Sequence, residues 1–352
     1  MFAFGRKKSA RLGVDIGSTA IKLVELSQAK GTGFSAIHLE NYVIEPLPIN
    51  AVAEKKIANV QAVGATIRKA VARSGTRVER AATALPGSSV ITKVISMSAV
   101  LSDAEMEVQL RLESDQHIPY PLEEVNIDFA VLGPSDADDN LVDVLLAASR
   151  RENVDDRVAT IEIGGLSAAI IDVEAYTMES VCPLLPGTGE RTVATVDIGA
   201  AATTLHVLHE GRTVYTREQG FGGRQLIEEV QRHYGLDYDQ ALRRVIEDDL
   251  PDSYATEILD PFKEILAQQI GRALQLFYST GIFNHVDRIV LAGGVAGIRG
   301  IDASLAERLG ITTGVANPFT DMSRSSGIES AALNRDAPAM MIAAGLALRG
   351  FD

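Results

Sequence analysis

Cysteine is nearly missing from this chain. Cys182 is the single thiol in 352 residues, so no internal disulfide is possible, a usage that fits a reducing cytosol. Long apolar runs are missing too. A membrane-spanning helix needs about 20 apolar residues, and the longest run, 337–348, is alanine-rich and carries proline and glycine. The opening MFAFGRKKSA has no hydrophobic stretch that would make a secretory signal. It reads as a tail in which Phe2 and Phe4 could brush a membrane. Basic charge is in deficit, with a net charge of -14. That disfavours generic nucleic-acid binding, because phosphate contacts need a clustered basic face. The small clusters Arg6-Lys7-Lys8 and Arg150-Arg151 read as solvated surface. The six histidines form no cluster: His206 and His209 fall three apart on a strand, face opposite sides and cannot share one metal.

What is present is a globular composition, 46% hydrophobic and 23% charged, long enough for two core-bearing domains. Residues 13–26 predict strand, turn and strand, and a second arm over 34–44 follows the turn residues Lys30-Gly31-Thr32-Gly33. The spacing of Ile57, Val60, Val63, Ile67 and Val71 predicts a helix over 53–74 that stops at Gly75. A short strand over 81–85 ends at Pro86-Gly87, and VITKVISM alternates as the next strand. Ser102 or Asp103 caps a helix over 104–117, stopped by Pro119 and Pro121. Strands over 125–132 and 141–148 flank an acidic loop, 133–140. A helix over 153–163, a strand over 167–173 and a helix starting at Tyr176 follow. PLLPGTGER, 183–191, reads as a linker. Beyond it come three strands with a tight turn at Glu210-Gly211, then helices over 225–283 broken by Pro251 and Pro261. The segment RIVLAGGVAGIRG gives a strand and a glycine loop that opens a helix over 300–309, and 338–348 is a last helix.

One motif occurs twice. GVDIGSTAIKL, 13–23, matches TVDIGAAATTL, 195–205, and each copy is followed by a third strand after a turn containing glycine. The chain therefore carries an internal duplication, one copy per half. The residue types suit a phosphate-binding turn. The glycine lets backbone approach an anion, and successive turn N–H groups form a nest for phosphate oxygens. The Ser18 and Thr19 hydroxyls can donate to the same oxygens, and Lys22 can reach inward as a point charge. Asp15 and Asp197 cannot touch phosphate without repulsion, but can hold a hydrated Mg²⁺. A third element, LAGGVAGIRG at 291–300, has adjacent Gly293 and Gly294 and so misses the G-x-G-x-x-G dinucleotide pattern. A flat platform for adenine or ribose fits it better.

Three such pieces in this order resemble the ATPase superfamily of actin, Hsp70 and sugar kinases. The resemblance implies an α/β, two-domain actin-like ATPase fold of duplicated ribonuclease-H-like domains, with the phosphate turns facing each other across a cleft. It implies ATP and Mg²⁺ as cofactors. It assigns Gly17, Ser18, Thr19 and Lys22 to the first turn, Gly199, Ala200, Ala201 and Thr203 to the second, and Asp15 and Asp197 to the metal. It adds Gly222, and puts Gly293, Gly294, Val295 and Gly297 in the adenosine loop. The passage Ile171-Asp-Val-Glu174 looks like the connecting motif near the metal, with Glu174 the candidate to orient a water beside the γ-phosphate.

No carboxylate base beside a sugar pocket stands out for a kinase, and no further peptide-binding domain follows for an Hsp70. The middle segment turns the choice. LPGSSV at 85–90, then a glutamate-containing helix, IPYPLEEV at 118–125 and the strand through Asp128-Phe129 resemble the PilM family, the actin-like component of type IV pilus assembly. IDVEAYTMES and GFGGRQLIEEV match as well, while Ser98 and Arg151 depart from the family's expected proline and lysine. The resemblance implies a first domain over 1–185 with an FtsA-like subdomain inserted at about 84–148, a second over 190–335, and a C-terminal helix over 336–352 returning to the first. It implies a cytoplasmic ATP-binding scaffold at the inner membrane, with at most weak ATPase activity. The partners it implies are other pilus assembly proteins and a PilN-like inner-membrane protein, whose N-terminal cytoplasmic peptide fits between the first subdomain and the insertion. A small-molecule kinase and a filament-forming FtsA/MreB-like protein are the alternatives.

Overall fold

The computed structural model describes residues 2–3, 12–28, 36–135, 138–185 and 191–351. Phe4, the cluster Arg6-Lys7-Lys8, the turn at 30–33 and most of the linker expected at 183–191 lie outside the described residues.

The first half runs β1 (Phe2–Ala3), β2 (Leu12–Ile16), β3 (Ala20–Gln28), β4 (Ile37–Pro46), β5 (Val52–Ala53), β6 (Lys56–Ile57), α1 (Val60–Ser74) and β7 (Arg80–Leu85). An insertion follows, with β8 (Val90–Ser98), α2 (Asp103–Leu112), α3 (Ser114–His117), β9 (Val125–Ser135) and β10 (Asp138–Arg150). The chain then returns as α4 (Arg151–Ile163), β11 (Ser167–Val173) and α5 (Glu174–Val181). The second half holds β12 (Thr192–Ile198), β13 (Thr203–His209), β14 (Arg212–Gln219), α6 (Gly223–Tyr234), α7 (Tyr238–Glu247), α8 (Asp260–Tyr278), β15 (Arg288–Ala292), α9 (Ile301–Leu309) and β16 (Thr313–Val315). It ends in β17 (Ser323–Arg324), α10 (Ser330–Asp336) and α11 (Met341–Leu348).

The two large sheets repeat one topology. Their orders are β1-β11-β7-β2-β3-β4-β17 and β14-β13-β12-β15-β16. In each, the strand that ends in the repeated aspartate starts an antiparallel meander on one side, β2-β3-β4 or β12-β13-β14. On its other side it is followed by two parallel strands, β7 and β11 or β15 and β16. The duplication read from two short segments is thus a duplication of whole sheets. The insertion is a separate antiparallel sheet, β8-β10-β9, with its own apolar cluster of Met97, Met106, Leu110, Val144 and Leu146. Glu105 starts its first helix by accepting both the N–H and the hydroxyl of Ser102.

Five sequence expectations shift. The helix expected over 53–74 begins only at Val60, because the Asn59 side chain accepts the Ala62 N–H at 2.9 Å and caps it there. Residues 52–57 form the β5-β6 hairpin instead, so Ile57 belongs to a strand. The acidic loop at 133–140 is largely strand, since β9 runs to Ser135 and β10 starts at Asp138. Pro261 does not break its helix: a π-helical turn over Ala255–Leu259 leads straight into α8, which removes the i−4 carbonyl a proline ring would strike. Finally, the linker region starts inside the core, where Cys182, Leu184 and Leu185 are buried. The opening segment also adds Phe2–Ala3 as an edge strand on β11.

One apolar cluster draws residues from both large sheets, Val24 and Ala82 from the first and Leu208 and Val290 from the second, around α5 and α11. α11, MIAAGLAL, is buried along its whole length. Small residues permit this. A Cβ on Gly13 of β2 would lie 2.0 Å from the Ala343 carbonyl oxygen, and one on Gly345 would lie 2.2 Å from that of Thr177 on α5. Arg349, just past α11, locks the arrangement by donating Nε to the buried Asp172 carboxylate at 2.5 Å. Gly13→Ala therefore drives a methyl into backbone that cannot yield, and should cost about 3 kcal/mol of unfolding free energy. Gly220→Ala, which meets nothing within 4 Å, should stay within about 0.5 kcal/mol of the unmodified chain. Urea unfolding of both variants checks the pair.

Candidate functional site

The two aspartate turns are built alike. The Gly17 N–H donates to the Ala20 carbonyl at 3.1 Å, and the Gly199 N–H to the Ala202 carbonyl at 2.9 Å. Each strand thus ends in a carboxylate and reverses through two residues, Ser18-Thr19 or Ala200-Ala201. Among the described residues, the N–H groups of those four have no backbone acceptor. They are the donors that a nest for an anion requires.

The charged groups of the two turns lie within electrostatic reach of one another. Lys22 on β3 pairs with Asp15 on β2 and donates to its Oδ2 at 2.9 Å. Burial works against the Lys22 charge, but Asp15, Asp197 and Glu174 together outweigh it and hold its pKa above the ordinary lysine value. Asp197 shows the opposite balance. Burial raises its carboxyl above the usual range, with Glu174 and Asp15 adding to the shift and Lys22 and Lys55 opposing it. Carboxylates from the two halves therefore sense each other's charge. The glycine loop adjoins the second of them: a Cβ on Gly293, which has φ 86°, would lie 2.5 Å from Asp197 Oδ1. Gly222 fits as closely against the second turn, where a Cβ would meet the Gly199 carbonyl at 2.4 Å.

Other assigned residues face elsewhere. Thr203 uses its hydroxyl on the Phe221 carbonyl at 2.7 Å. Val295 is buried in the second-half core, and Gly297 lies against the Arg335 carbonyl, so the open part of that loop is Gly294. Within the IDVE passage, Asp172 holds Arg349, while Glu174 turns to the cleft.

Sequence reasoning missed the partner that Glu174 has there. Lys55, at the tip of the β5-β6 hairpin, donates to Glu174 Oε2 at 2.8 Å and also reaches Glu218 Oε2 at 2.9 Å and Thr204 Oγ1 at 3.3 Å in the second half. One ammonium thus ties the two halves together. The tip residues Glu54 and Lys55 have φ of 48° and 61°, a left-handed turn without glycine. Such a conformation costs on the order of 1 kcal/mol per residue, which the three polar contacts offset. No glycine or asparagine marked this turn. Behind the same hairpin, a groove of about 340 Å³ separates the first half from the insertion, bordered by Lys55, Pro86, Tyr120, Arg150 and Arg157.

The donor set fits a metal-bound polyphosphate. Four carboxylates, Asp15, Asp197, Glu174 and Glu218, face two lysines, so a bare triphosphate would be repelled unless a divalent cation came with it. Among the described residues no three His, Cys, Asp or Glu side chains converge on a metal position. A Mg²⁺ ion there would complete its shell with water and phosphate oxygens, as Mg²⁺ commonly does.

Lys55→Met should lower the unfolding free energy by about 2–4 kcal/mol at neutral pH, because Glu174 and Glu218 are left without their cation. Glu218→Gln in that background should restore part of the loss. The sign with pH is set by the lysine. Its folded pKa is raised above 10.5 by Glu174, Glu218 and Asp197 despite burial, so the contribution is complete at neutral pH and fades as pH climbs past 10.5. Denaturant unfolding of both variants across alkaline pH measures this.

With the geometry in view, the relatives fall into place. The chain resembles the type IV pilus biogenesis complex structure of PilM with PilN, with a TM-score of 0.80 and 28% identity over 99% of this chain and 100% of that one. It shares its fold with the ethanolamine utilization protein EutJ from Carboxydothermus hydrogenoformans, with a TM-score of 0.59 and 16% identity over 99% and 92% of the two chains. It also shares it with diol dehydratase-reactivating factor, crystallised nucleotide-free, with a TM-score of 0.56 and 10% identity over 96% and 98%. The family model of the type IV pilus assembly protein PilM matches residues 13–351. A chain that carries the repeated sheets, the inserted β8-β10-β9 subdomain and this match over nearly its whole length belongs to the PilM family of type IV pilus assembly proteins.

Proposed function

We propose that this protein is a cytoplasmic, actin-like scaffold of the type IV pilus assembly platform, held at the inner membrane by its partners. It binds the N-terminal cytoplasmic peptide of a PilN-like membrane protein in the groove beside Tyr120 and Pro86, and it binds MgATP between the two aspartate turns. The observation that carries the proposal is the likeness to the PilM–PilN complex structure along essentially the full length of both chains, insertion included. Among the described residues no helix is long and apolar enough to cross a membrane; the proposed reading assigns attachment to a partner. The two lobes, 1–185 with the returning helix and 190–335, close on the nucleotide from either side.

In the nucleotide site, the turn N–H groups and Lys22 hold phosphate oxygens, Asp15 and Asp197 hold the hydrated Mg²⁺, and Gly293-Gly294 faces the nucleoside. When bound between Asp15 and Asp197, Mg²⁺ would supply neutralisation of phosphate charge. Hydrolysis is at most weak, because Glu174, the side chain nearest to a water-orienting role, is already engaged by Lys55.

The test is calorimetry of the full chain with the partner's N-terminal peptide, joined to melting curves with and without MgATP. Peptide binding and a MgATP-dependent rise in Tm are expected, without pelleting and without transfer to a small acceptor. ATP-dependent pelleting would replace the proposal with a filament, and multiple-turnover phosphorylation of an acceptor with a kinase. Asp197→Asn separates cofactor from fold. Because burial raises the Asp197 carboxyl, its charge costs more in the folded than in the unfolded chain. The variant should therefore melt a few degrees higher without nucleotide and lose the MgATP-dependent rise. A variant that melts lower and keeps that rise would remove Asp197 from the metal site.

A further inference from the structure

The groove between the first half and the insertion is bordered by Lys55, Lys56, Arg150 and Arg157, and these cations differ in what they already hold. Lys55 is bound by Glu174 and Glu218. Arg150 stacks its guanidinium over the Tyr120 ring, 4.3 Å from the centroid. Lys56 is exposed to water. Arg157 is only 3% exposed, and its Nη1 is closed off from solvent with no hydrogen-bond partner among the described residues. A buried charged donor left without an acceptor is costly, and native structures rarely keep one without a use for it.

The surroundings narrow what could serve it. Burial pulls the Arg157 pKa below its ordinary value, while Glu174, Asp15 and Asp156 act against that shift. Those carboxylates offset only part of the cost of burying its charge, and its Nη1 donor is unsatisfied. Glu152 and Asp156, one turn apart on α4, border the same groove and would repel an incoming carboxylate. An oxygen acceptor without a formal charge avoids that repulsion.

We infer that Arg157 is the donor this groove offers to an amide carbonyl of its occupant, a main-chain carbonyl or an Asn or Gln side chain, and that it selects such an oxygen over a carboxylate. The inference rests on the groove being the peptide site. The hydrogen bond exists only in the complex, so Arg157 adds to affinity and costs stability in the free chain. Those opposite signs separate it from a structural arginine, whose loss would lower stability and leave affinity alone.

The experiment titrates the full chain, unmodified and as Arg157→Met, with the N-terminal cytoplasmic peptide of the PilN-like protein, and melts both chains without peptide. Peptide affinity should fall about 10- to 100-fold, while the free variant melts at or above the unmodified temperature. Undiminished affinity in Arg157→Met overturns the inference and leaves the groove reading standing. Failure of the unmodified chain to bind overturns the groove reading, and the inference with it. Should Arg157→Met not fold, Arg157→Lys keeps the charge but loses the planar fork; a fall in affinity at unchanged melting supports the inference and equal affinity overturns it. Peptides with Asn or Gln changed to Asp or Glu should bind no tighter, and tighter binding would overturn the preference for an uncharged oxygen.

Discussion

Too many negative charges share one cleft, and much of the site's construction answers that imbalance. Asp15 and Glu174 come from one half, Asp197 and Glu218 from the other, with Lys22 and Lys55 between them. Each lysine bonds a carboxylate of its own half and senses or bonds one across the cleft. Without these cations the halves would repel at their nearest approach. The left-handed hairpin tip at Glu54-Lys55 makes sense in this light, because a relaxed turn would have no reason to aim an ammonium between two acids. Closing the cleft electrostatically and holding it apolar are separate tasks. The second falls to α5 and α11: α11 passes β2 and α5 at backbone distance, and both helices pack in the apolar cluster that draws on the two sheets.

How far the sequence exposes this depends on whether the signal is local. Asp15-Ile-Gly17 and Asp197-Ile-Gly199 are legible because strand, carboxylate and glycine lie within five residues and occur twice. The topology follows from them, since two like turns imply two like sheets. The IPYPLEEV segment exposes the insertion in the same local way. Lys55 was not legible. Its partners Glu174 and Thr204 are 119 and 149 residues away, and the apolar spacing through Ile57 mimicked the start of the helix that Asn59 in fact caps. Val295 misleads in the opposite direction: it stands in a glycine loop, yet its side chain serves the second-half core. Pro261 misleads because a π-turn can absorb a proline that periodicity alone treats as a break. Arg157 carries no sequence signal, since its significance is a missing partner that only the packing reveals.

The groove and the cleft are neighbours separated by single side chains. Lys55 borders the groove with its stem while its ammonium joins Glu174 and Glu218. Arg157 borders the groove and lies within electrostatic reach of Glu174 and Asp15. A peptide that engages one wall of the groove therefore acts on groups that also face the phosphate position. This adjacency gives a physical route for a nucleotide to act as a clamp, but only to the extent that the nucleotide prefers one arrangement of the halves.

The Lys22–Asp15 pair sets what that preference must overcome. In the free chain the lysine and the aspartate satisfy each other at 2.9 Å. On the proposed reading, Asp15 would hold the metal and Lys22 a phosphate oxygen once MgATP is bound. The exchange conserves charge at each position, since a cation remains against Asp15 and an anion against Lys22. Neither phosphate alone nor Mg²⁺ alone can do this, because phosphate would leave Asp15 unpaired beside Asp197 and Glu174, and the metal would crowd Lys22 without an anion to receive it. On that reading the Lys22–Asp15 pair would favour metal and nucleotide together over either component alone.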